Sequence, residues 1–129
     1  LSKKAERLDK KGKDSRNVKE RSKELKKSAQ DIRDMRNDTD TEYRFVKRQV
    51  PESEFIGINV AGHETIAMYS SNFATLVHEI RHGGQHARGE LDIVNESNYV
   101  VEHEVEAYRA QFSWSGWFAC KYLNPSIWR

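Results

Sequence analysis

Apolar residues recur with a helical period in the first third of the chain. Val18, Leu25 and Ile32 follow one another every seven residues, a spacing that predicts an amphipathic helix with a narrow apolar stripe. The helix should end near residues 37–40, an Asn-Asp-Thr-Asp run of poor helix formers. Because so narrow a stripe cannot stabilise an isolated helix, we expect it to pack on the rest of the domain, on another chain or on an upstream segment. The Lys-rich residues 2–15 have few apolar anchors and are predicted to be frayed or disordered.

The pattern changes to short apolar runs after Pro51. Residues 55–60 (Phe-Ile-Gly-Ile-Asn-Val) and 65–69 (Thr-Ile-Ala-Met-Tyr) have the composition of strands, and residues 61–64 between them are a turn candidate. These features predict a β-hairpin.

Two further helices are predicted after the hairpin. The first should begin at one of three capping candidates, Ser70, Ser71 or Asn72. Its apolar side is formed by four residues: Phe73, Leu76, Val77 and Ile80. We expect it to end at the pair Gly83-Gly84. The second helix should run from about Ser97 to Ser113, and the aromatic tail from residue 114 to 129 receives no assignment. The elements together predict an α+β fold.

Charge is distributed unevenly along the chain. The 129 residues include 22 Lys and Arg and 20 Asp and Glu, a net charge of +2. Residues 1–50 hold 17 of the basic residues and 10 of the acidic ones, whereas residues 51–129 hold 5 and 10. We therefore expect a basic helical extension over 1–50 and a compact domain over 51–129. No apolar run reaches the roughly 18 residues of a membrane span, and no signal peptide is visible. The single cysteine, Cys120, excludes an internal disulfide and a multi-cysteine zinc site.

The clearest chemical motif is His78-Glu79-Ile80-Arg81-His82, an HExxH pattern on the helix that follows the hairpin. Residues four apart lie on one face of a helix, about one turn from each other. The imidazoles of His78 and His82 can therefore bind one Zn²⁺ ion. Glu79 lies beside the first ligand, where it can take a proton from a zinc-bound water. The alternative is a surface helix that carries two unrelated histidines.

A third protein ligand would leave one zinc position open for water, and the last helix offers Glu102, Glu104 and Glu106. On a helical wheel an apolar face is formed by four residues: Val101, Val105, Tyr108 and Phe112. Glu104 falls beside that face, whereas Glu102 and Glu106 fall on the opposite side and are predicted to be solvated. A buried carboxylate is costly unless it is paired or binds a metal, so Glu104 is the preferred third ligand. The alternative is a buried salt bridge from Glu104 to Arg81 or Arg88, and Glu102 and Glu106 stay open as replacement ligands.

Several other residues are weaker candidates. Tyr108 lies on the Glu104 side and is either an oxyanion-stabilising catalytic group or an ordinary core tyrosine. Gln111 is a candidate for a hydrogen bond to a zinc ligand. His86 continues the series from His82, but the two glycines should end the helix first, which favours a loop histidine over a transition-state donor. His63 and His103 are expected to be surface or turn residues.

The segment from His78 to Gln85, followed by Glu104 and the residues Val-Glu-Ala-Tyr-Arg-Ala-Gln after it, resembles the zincin-type metallopeptidase domains of bacterial polymorphic toxins. These domains end long secreted proteins, often of the YD-repeat type, and are similar in core layout to the gluzincins. The resemblance covers about residues 55–113. It implies a small zincin-like α+β domain with a short antiparallel sheet, an active-site helix and a second ligand-bearing helix.

The same resemblance implies Zn²⁺ ligands at His78, His82 and Glu104 and a general base at Glu79. It also implies a peptide or protein substrate, a cognate immunity protein, and action in the cytoplasm or periplasm of a target cell. Since the chain begins at Leu1, we expect it to be the tip of a larger secreted protein. Zincins usually have more than two strands, so either the sheet is reduced or further strands lie in 41–50 and 114–129.

Two other functions remain open at this point. The basic N-terminal helix could make the chain a non-catalytic binding module for nucleic acid or protein partners. Nucleic acid is disfavoured because the charges alternate in sign and aromatic residues are nearly absent before Tyr43. The chain could also be an inactive zincin relative, although His78, Glu79, His82 and Glu104 together argue against that.

Overall fold

The computed structural model describes residues 1–11, 16–48, 54–60, 63–91 and 101–116. In chain order the elements are α1 (Ser2–Lys11), α2 (Arg16–Asn37), β1 (Thr41–Lys47), β2 (Glu54–Val60), β3 (His63–Ser70), α3 (Phe73–Ala87) and α4 (Val101–Ser115). The combination of helices with one sheet confirms the α+β class. In the part of the chain that is described, no helix is long and apolar enough to span a bilayer.

The three strands form one sheet in the order β1-β3-β2. β2 and β3 pair antiparallel, with Gly57 opposite Ile66, which confirms the predicted hairpin. β1 pairs with the other edge of β3 in parallel, with Tyr43 also opposite Ile66. The sheet is therefore mixed, and the expectation of a short antiparallel sheet was wrong for β1. β2 runs opposite to β3, and β1 runs in the same direction as β3. β1 pairs with β3 and not with β2, so its pairing is parallel.

Helix α2 confirms the periodic pattern of the N-terminal third, and its stripe packs on the rest of the chain. α2 contacts α3 and α4. Leu25 and Met35 are buried, and Met35 joins a small core with Ile66, Met68 and Ile80. Residues from the first 50 positions thus share a core with the hairpin and with α3. The narrow stripe is stabilised by these contacts rather than by helix propensity.

Residues 2–11 form helix α1, so the prediction of a frayed or disordered segment over 2–15 was wrong for them. Residues 12–15 lie outside the described residues. α1 contacts α2. Ala5 is buried, and the Ser22 hydroxyl donates to the Ala5 carbonyl oxygen at 3.1 Å. Small side chains at this contact allow two charge-rich helices to pack closely. Ala5 and Ser22 are small, so the apolar pattern of the sequence does not indicate this contact.

The pair Gly83-Gly84 does not end α3, which continues to Ala87. An added Cβ atom at Gly83 would collide with the Met35 side chain, and one at Gly84 would collide with the Asp31 carboxylate. Both glycines therefore allow close approach of α2 to α3. The predicted helix end was wrong because a glycine inside a helix can serve a tertiary contact as well as a stop.

A buried ion network joins the same two helices. The Arg81 side chain is fully buried, and its Nε donates to Asp31 Oδ2 at 2.6 Å. Its terminal nitrogens donate to Glu24 Oε1 at 3.0 Å and to Ser28 Oγ at 3.2 Å. Asp31 also accepts from Arg88 Nη1 at 2.7 Å. Burial works to lower the pKa of Arg81, but the charges of Asp31 and Glu24 outweigh it and raise the pKa, so this arginine stays charged.

The close approach at Gly84 is tested by Gly84→Ala. In an open helix this change stabilises by about 1 kcal/mol, because alanine is the better helix former. Here we expect a loss of about 1–3 kcal/mol, since the methyl group must displace the Asp31 carboxylate. Urea unfolding followed by circular dichroism measures the difference. A gain in stability would contradict the close-approach interpretation.

The buried ion network is tested by Asp31→Asn, with Asp34→Asn as its control. Removing the Asp31 charge leaves Arg81 buried without its closest partner, which should cost about 3–5 kcal/mol in the free energy of unfolding. Asp34 also pairs with Arg88, at 3.0 Å, but lies partly in solvent, so its loss should cost less than about 1 kcal/mol. Equal losses in the two variants would show that the buried pair does not hold α2 to α3.

Candidate metal centre

The HExxH motif lies wholly within α3, which begins at Phe73 and ends at Ala87. Asn72 caps the helix, and its side-chain oxygen accepts from the Thr75 backbone N–H at 2.9 Å. The ring centroids of His78 and His82 lie 5.0 Å apart. Their exposed fractions are 5% and 2%. The motif therefore presents two neighbouring, buried imidazoles on one face of α3.

Helix α4 lies against this face. Glu104 contacts His82, and the Tyr108 ring contacts the His78 ring with centroids 4.5 Å apart. Contacts therefore run in opposite order along α3 and α4, so the two helices are antiparallel. Ala107 and Ala110 are fully buried in α4. Their small side chains let the helix approach α3 and α2 closely.

The Glu104 carboxylate faces both histidines. Its Oε1 lies 2.7 Å from His82 Nε2, and its Oε2 lies 3.6 Å from His78 Nε2. Ligand atoms of His78, His82 and Glu104 all lie within 4.8 Å of one another. Tetrahedral zinc with bonds of about 2.0–2.1 Å would place its ligand atoms about 3.3 Å apart, a value between the two observed distances. Within the described ranges, this group could hold a metal ion.

The electrostatics of the group suit a metal ligand set. Hydrogen bonds from His78 and then His82 hold the pKa of the Glu104 carboxyl far below its usual range, so Glu104 is ionised at neutral pH. Burial works to lower the pKa of His82, but hydrogen bonds with Glu104 and Gln85 outweigh it and raise the pKa. A metal ion at this position would take the place of the proton on His82 Nε2.

Glu79 lies beside the first predicted ligand and is almost fully buried. Its Oε1 is 4.0 Å from His78 Nε2. The carboxylate is therefore close to the point on which the predicted ligands converge, on the side of His78. A general base needs this proximity to the water that it deprotonates.

The other two glutamates of α4 are placed differently. Glu102 is exposed, as predicted. Glu106 is only partly exposed and pairs with Lys27 Nζ at 2.9 Å and with Arg81 at 3.5 Å, so the prediction that it is solvated was wrong. The reason is that α2 covers this side of α4. Glu104 is thus the glutamate of α4 that reaches both histidines.

The alternative for Glu104, a salt bridge to Arg81 or Arg88, is not what the structure contains. Arg81 and Arg88 both bond Asp31, while Glu104 pairs with the two histidines.

The predicted apolar face of α4 was wrong in part, since Val101 is 75% exposed. The buried residues of α4 are instead mostly small or polar: Ala107, Ala110, Gln111, Phe112 and Ser113. α4 packs against two helices at once, and close packing favours small side chains there. Glu104, 41% exposed in its side chain, sits at the edge of this buried surface.

Tyr108 and His86 were the weaker catalytic candidates. The Tyr108 ring meets His78 nearly edge-on, and its catalytic role stays a prediction. His86 lies within α3, where Nδ1 contacts the Leu91 carbonyl oxygen at 3.0 Å and Nε2 contacts Glu64 at 3.2 Å. His86 therefore ties the end of α3 to β3 and is not a free loop residue. The side chain of His63 and all of Cys120 lie outside the described residues.

Sequence reasoning missed Gln85. This side chain is fully buried, and its Oε1 lies 2.8 Å from His82 Nδ1. Its Nε2 donates to the His103 carbonyl oxygen at 3.2 Å. Gln111, predicted for this role, is buried but has no hydrogen bond to either histidine in the described part of the chain. The spacing of Gln85 from His82 is the signal that could have found it, but only if α3 is expected to continue past the two glycines.

Comparisons with models of known protein families, with curated proteins and with solved structures found no match to this chain. The interpretation of the site therefore depends on its own residues and geometry.

The three-residue ligand set is tested by Glu104→Ala, with Glu102→Ala as its control. Glu104 contributes the oxygen that faces both imidazoles, so its removal should reduce zinc from about one ion per chain to a trace. Glu102 is exposed on the same helix, and its removal should leave the zinc content unchanged. Elemental mass spectrometry of the purified proteins after dialysis measures both. Full occupancy in Glu104→Ala would refute its assignment as a ligand.

Proposed function

We propose that this chain is a zinc-dependent metallopeptidase domain that acts as the toxic tip of a larger secreted bacterial protein. The observation that carries the proposal is the convergence of His78, His82 and Glu104, with Glu79 beside the first histidine. Two of these ligands come from α3 and the third from α4. The HExxH motif and a downstream glutamate are the pattern that the toxin metallopeptidases share.

The donor set suits zinc. Two imidazole nitrogens and one carboxylate oxygen are the ligand types of catalytic zinc sites, and three protein ligands leave a position for water or substrate. When bound, zinc would supply Lewis-acid chemistry, polarising a peptide carbonyl and making water acidic enough to be deprotonated near neutral pH. His78 and His82 are held in a buried setting, while Glu104 is partly open to solvent. This side of the site is where a substrate could enter.

Side chains of the protein would then carry out the proton transfers. Glu79 would accept a proton from the attacking water and later donate it to the leaving amine. Its near-complete burial excludes bulk water, which would otherwise compete for that proton. Tyr108, against the His78 ring, is the candidate for stabilising negative charge on the scissile carbonyl oxygen.

The biological setting follows from the resemblance of residues 55–113 to polymorphic toxin domains. We infer a peptide or protein substrate in the cytoplasm or periplasm of a target cell and an immunity protein that protects the producer. An inhibitor of this kind would have to cover the partly exposed Glu104 side of the site.

The catalytic role is tested by Glu79→Gln. The amide keeps the shape of the side chain but cannot take a proton, so cleavage should fall by about 10²–10⁴-fold while zinc content stays at one ion per chain. Cleavage is measured with zinc-loaded protein on a library of internally quenched peptides, and toxicity by growth of bacteria that express the domain.

Glu90→Gln is the matched control because Glu90 is an exposed glutamate that pairs with Arg88 after the end of α3. It should retain full cleavage and toxicity. Undiminished cleavage by Glu79→Gln would exclude Glu79 as the base. A zinc-loaded wild type that cleaves no peptide in the library and does not slow growth would favour the inactive zincin relative.

A further inference from the structure

The geometry points to Gln85 as a positioning residue, which fixes the tautomer of His82 and ties this histidine to helix α4. This inference rests on the proposed metal centre, since its consequence is that His82 Nε2 is held ready as a ligand. Gln85 does not touch the point where the ligands converge. It acts through the far side of the His82 ring, at Nδ1.

The direction of the hydrogen bonds is decided by a backbone group. The His103 carbonyl oxygen can only accept, so the Gln85 atom that faces it at 3.2 Å must be the amide nitrogen. The Gln85 oxygen therefore faces His82 Nδ1, at 2.8 Å. A carbonyl oxygen also only accepts, so Nδ1 must carry the proton. The Glu104 carboxylate, 2.7 Å from Nε2, also only accepts, so without a metal Nε2 carries a proton too. A metal that replaces this proton binds the Nε2 lone pair, while Nδ1 keeps its hydrogen bond to Gln85.

Burial favours this one orientation of the Gln85 amide over the reversed one. Gln85 is fully buried and His82 nearly so, so water cannot easily replace either hydrogen bond. Reversing the amide would bring its nitrogen to His82 and leave two oxygens facing each other at His103, which is costly away from water. The proton on His82 Nδ1 is thus fixed before any metal binds, and Nε2 is the ring nitrogen left for the metal.

The same side chain links the two ligand-bearing helices. The carbonyl that Gln85 bonds belongs to His103, the residue that precedes Glu104 in α4. One buried amide therefore connects the second histidine of the motif to the backbone beside the third ligand. By contrast, His78 Nδ1 is buried with no hydrogen-bond partner among the described residues. Of the two motif histidines, His82 is therefore the one whose Nδ1 is bonded by a side chain in the described part of the chain.

The test compares Gln85→Met, Gln85→Glu and the control Gln111→Met. Methionine fills nearly the same space without either hydrogen bond, so zinc affinity, measured by chelator competition, should fall about 10–100-fold. Glutamate keeps an acceptor for Nδ1 and should bind zinc more tightly than methionine does. Gln111→Met replaces a buried glutamine that bonds neither histidine and should leave the affinity unchanged. Unaltered affinity in folded Gln85→Met would overturn the proposal.

Nuclear magnetic resonance of the ¹⁵N-labelled histidine rings separates this inference from the proposed function. In metal-free wild type, His82 should show a proton on Nδ1 that is protected from exchange, and Gln85→Met should lose that protection. Zinc-loaded wild type should keep the proton on Nδ1. An unprotected Nδ1 proton in metal-free wild type would overturn the positioning role, whatever the metal does. Failure of wild type to bind zinc, with the Nδ1 proton protected, would instead defeat the metal centre and leave the hydrogen bond to Gln85 established.

Discussion

The buried ion pair between Arg81 and Asp31 is the constraint on which the site depends. Arg81 lies inside the HExxH motif, one residue before His82, so the interaction that anchors α2 also sets the rotation of α3 about its axis. A fully buried guanidinium needs partners for its donors, and α2 supplies three of them: Glu24, Ser28 and Asp31. With Arg81 held toward α2, the two histidines are left to face α4. The fourth position of the motif, Arg81, is therefore structural, and His78, Glu79 and His82 are available for chemistry.

The glycine pair after the motif supports the same arrangement. Gly83 and Gly84 remove the side chains that would keep α2 away from α3, which lets Asp31 reach Arg81 and Arg88. Since the helix continues through them, Gln85 and His86 stay on helical positions. Gln85 then reaches α4, and His86 reaches β3. The close approach of α2 to α3 at the two glycines thus permits the contacts that α3 makes with α4 and β3.

Local patterns predicted much of this arrangement. Three features depend only on neighbours in sequence: the period of α2, the short apolar runs of two strands and the cap of α3. All were found near the expected positions. His78 and His82 were recognisable because their spacing alone places them on one face. Three other features could not be predicted, because each is decided by a distant element: the helix through Gly83-Gly84, the parallel pairing of β1 and the partial burial of Glu106. α1 belongs with them, since the buried residues Ala5 and Ser22 at its contact with α2 are small and leave no apolar signal in the sequence.

The three candidate ligands depend on tertiary packing to different extents. His78 and His82 are brought together by the geometry of one helix, but Glu104 reaches them only when α4 is packed against α3. A metal ion held by all three would favour the packed state, so zinc affinity and the stability of the α3–α4 contact would be linked. Gln85 lies at that contact, bonding one ligand and the backbone beside another. The affinity of the centre would then depend on how firmly two helices are held together as much as on the identity of the ligands.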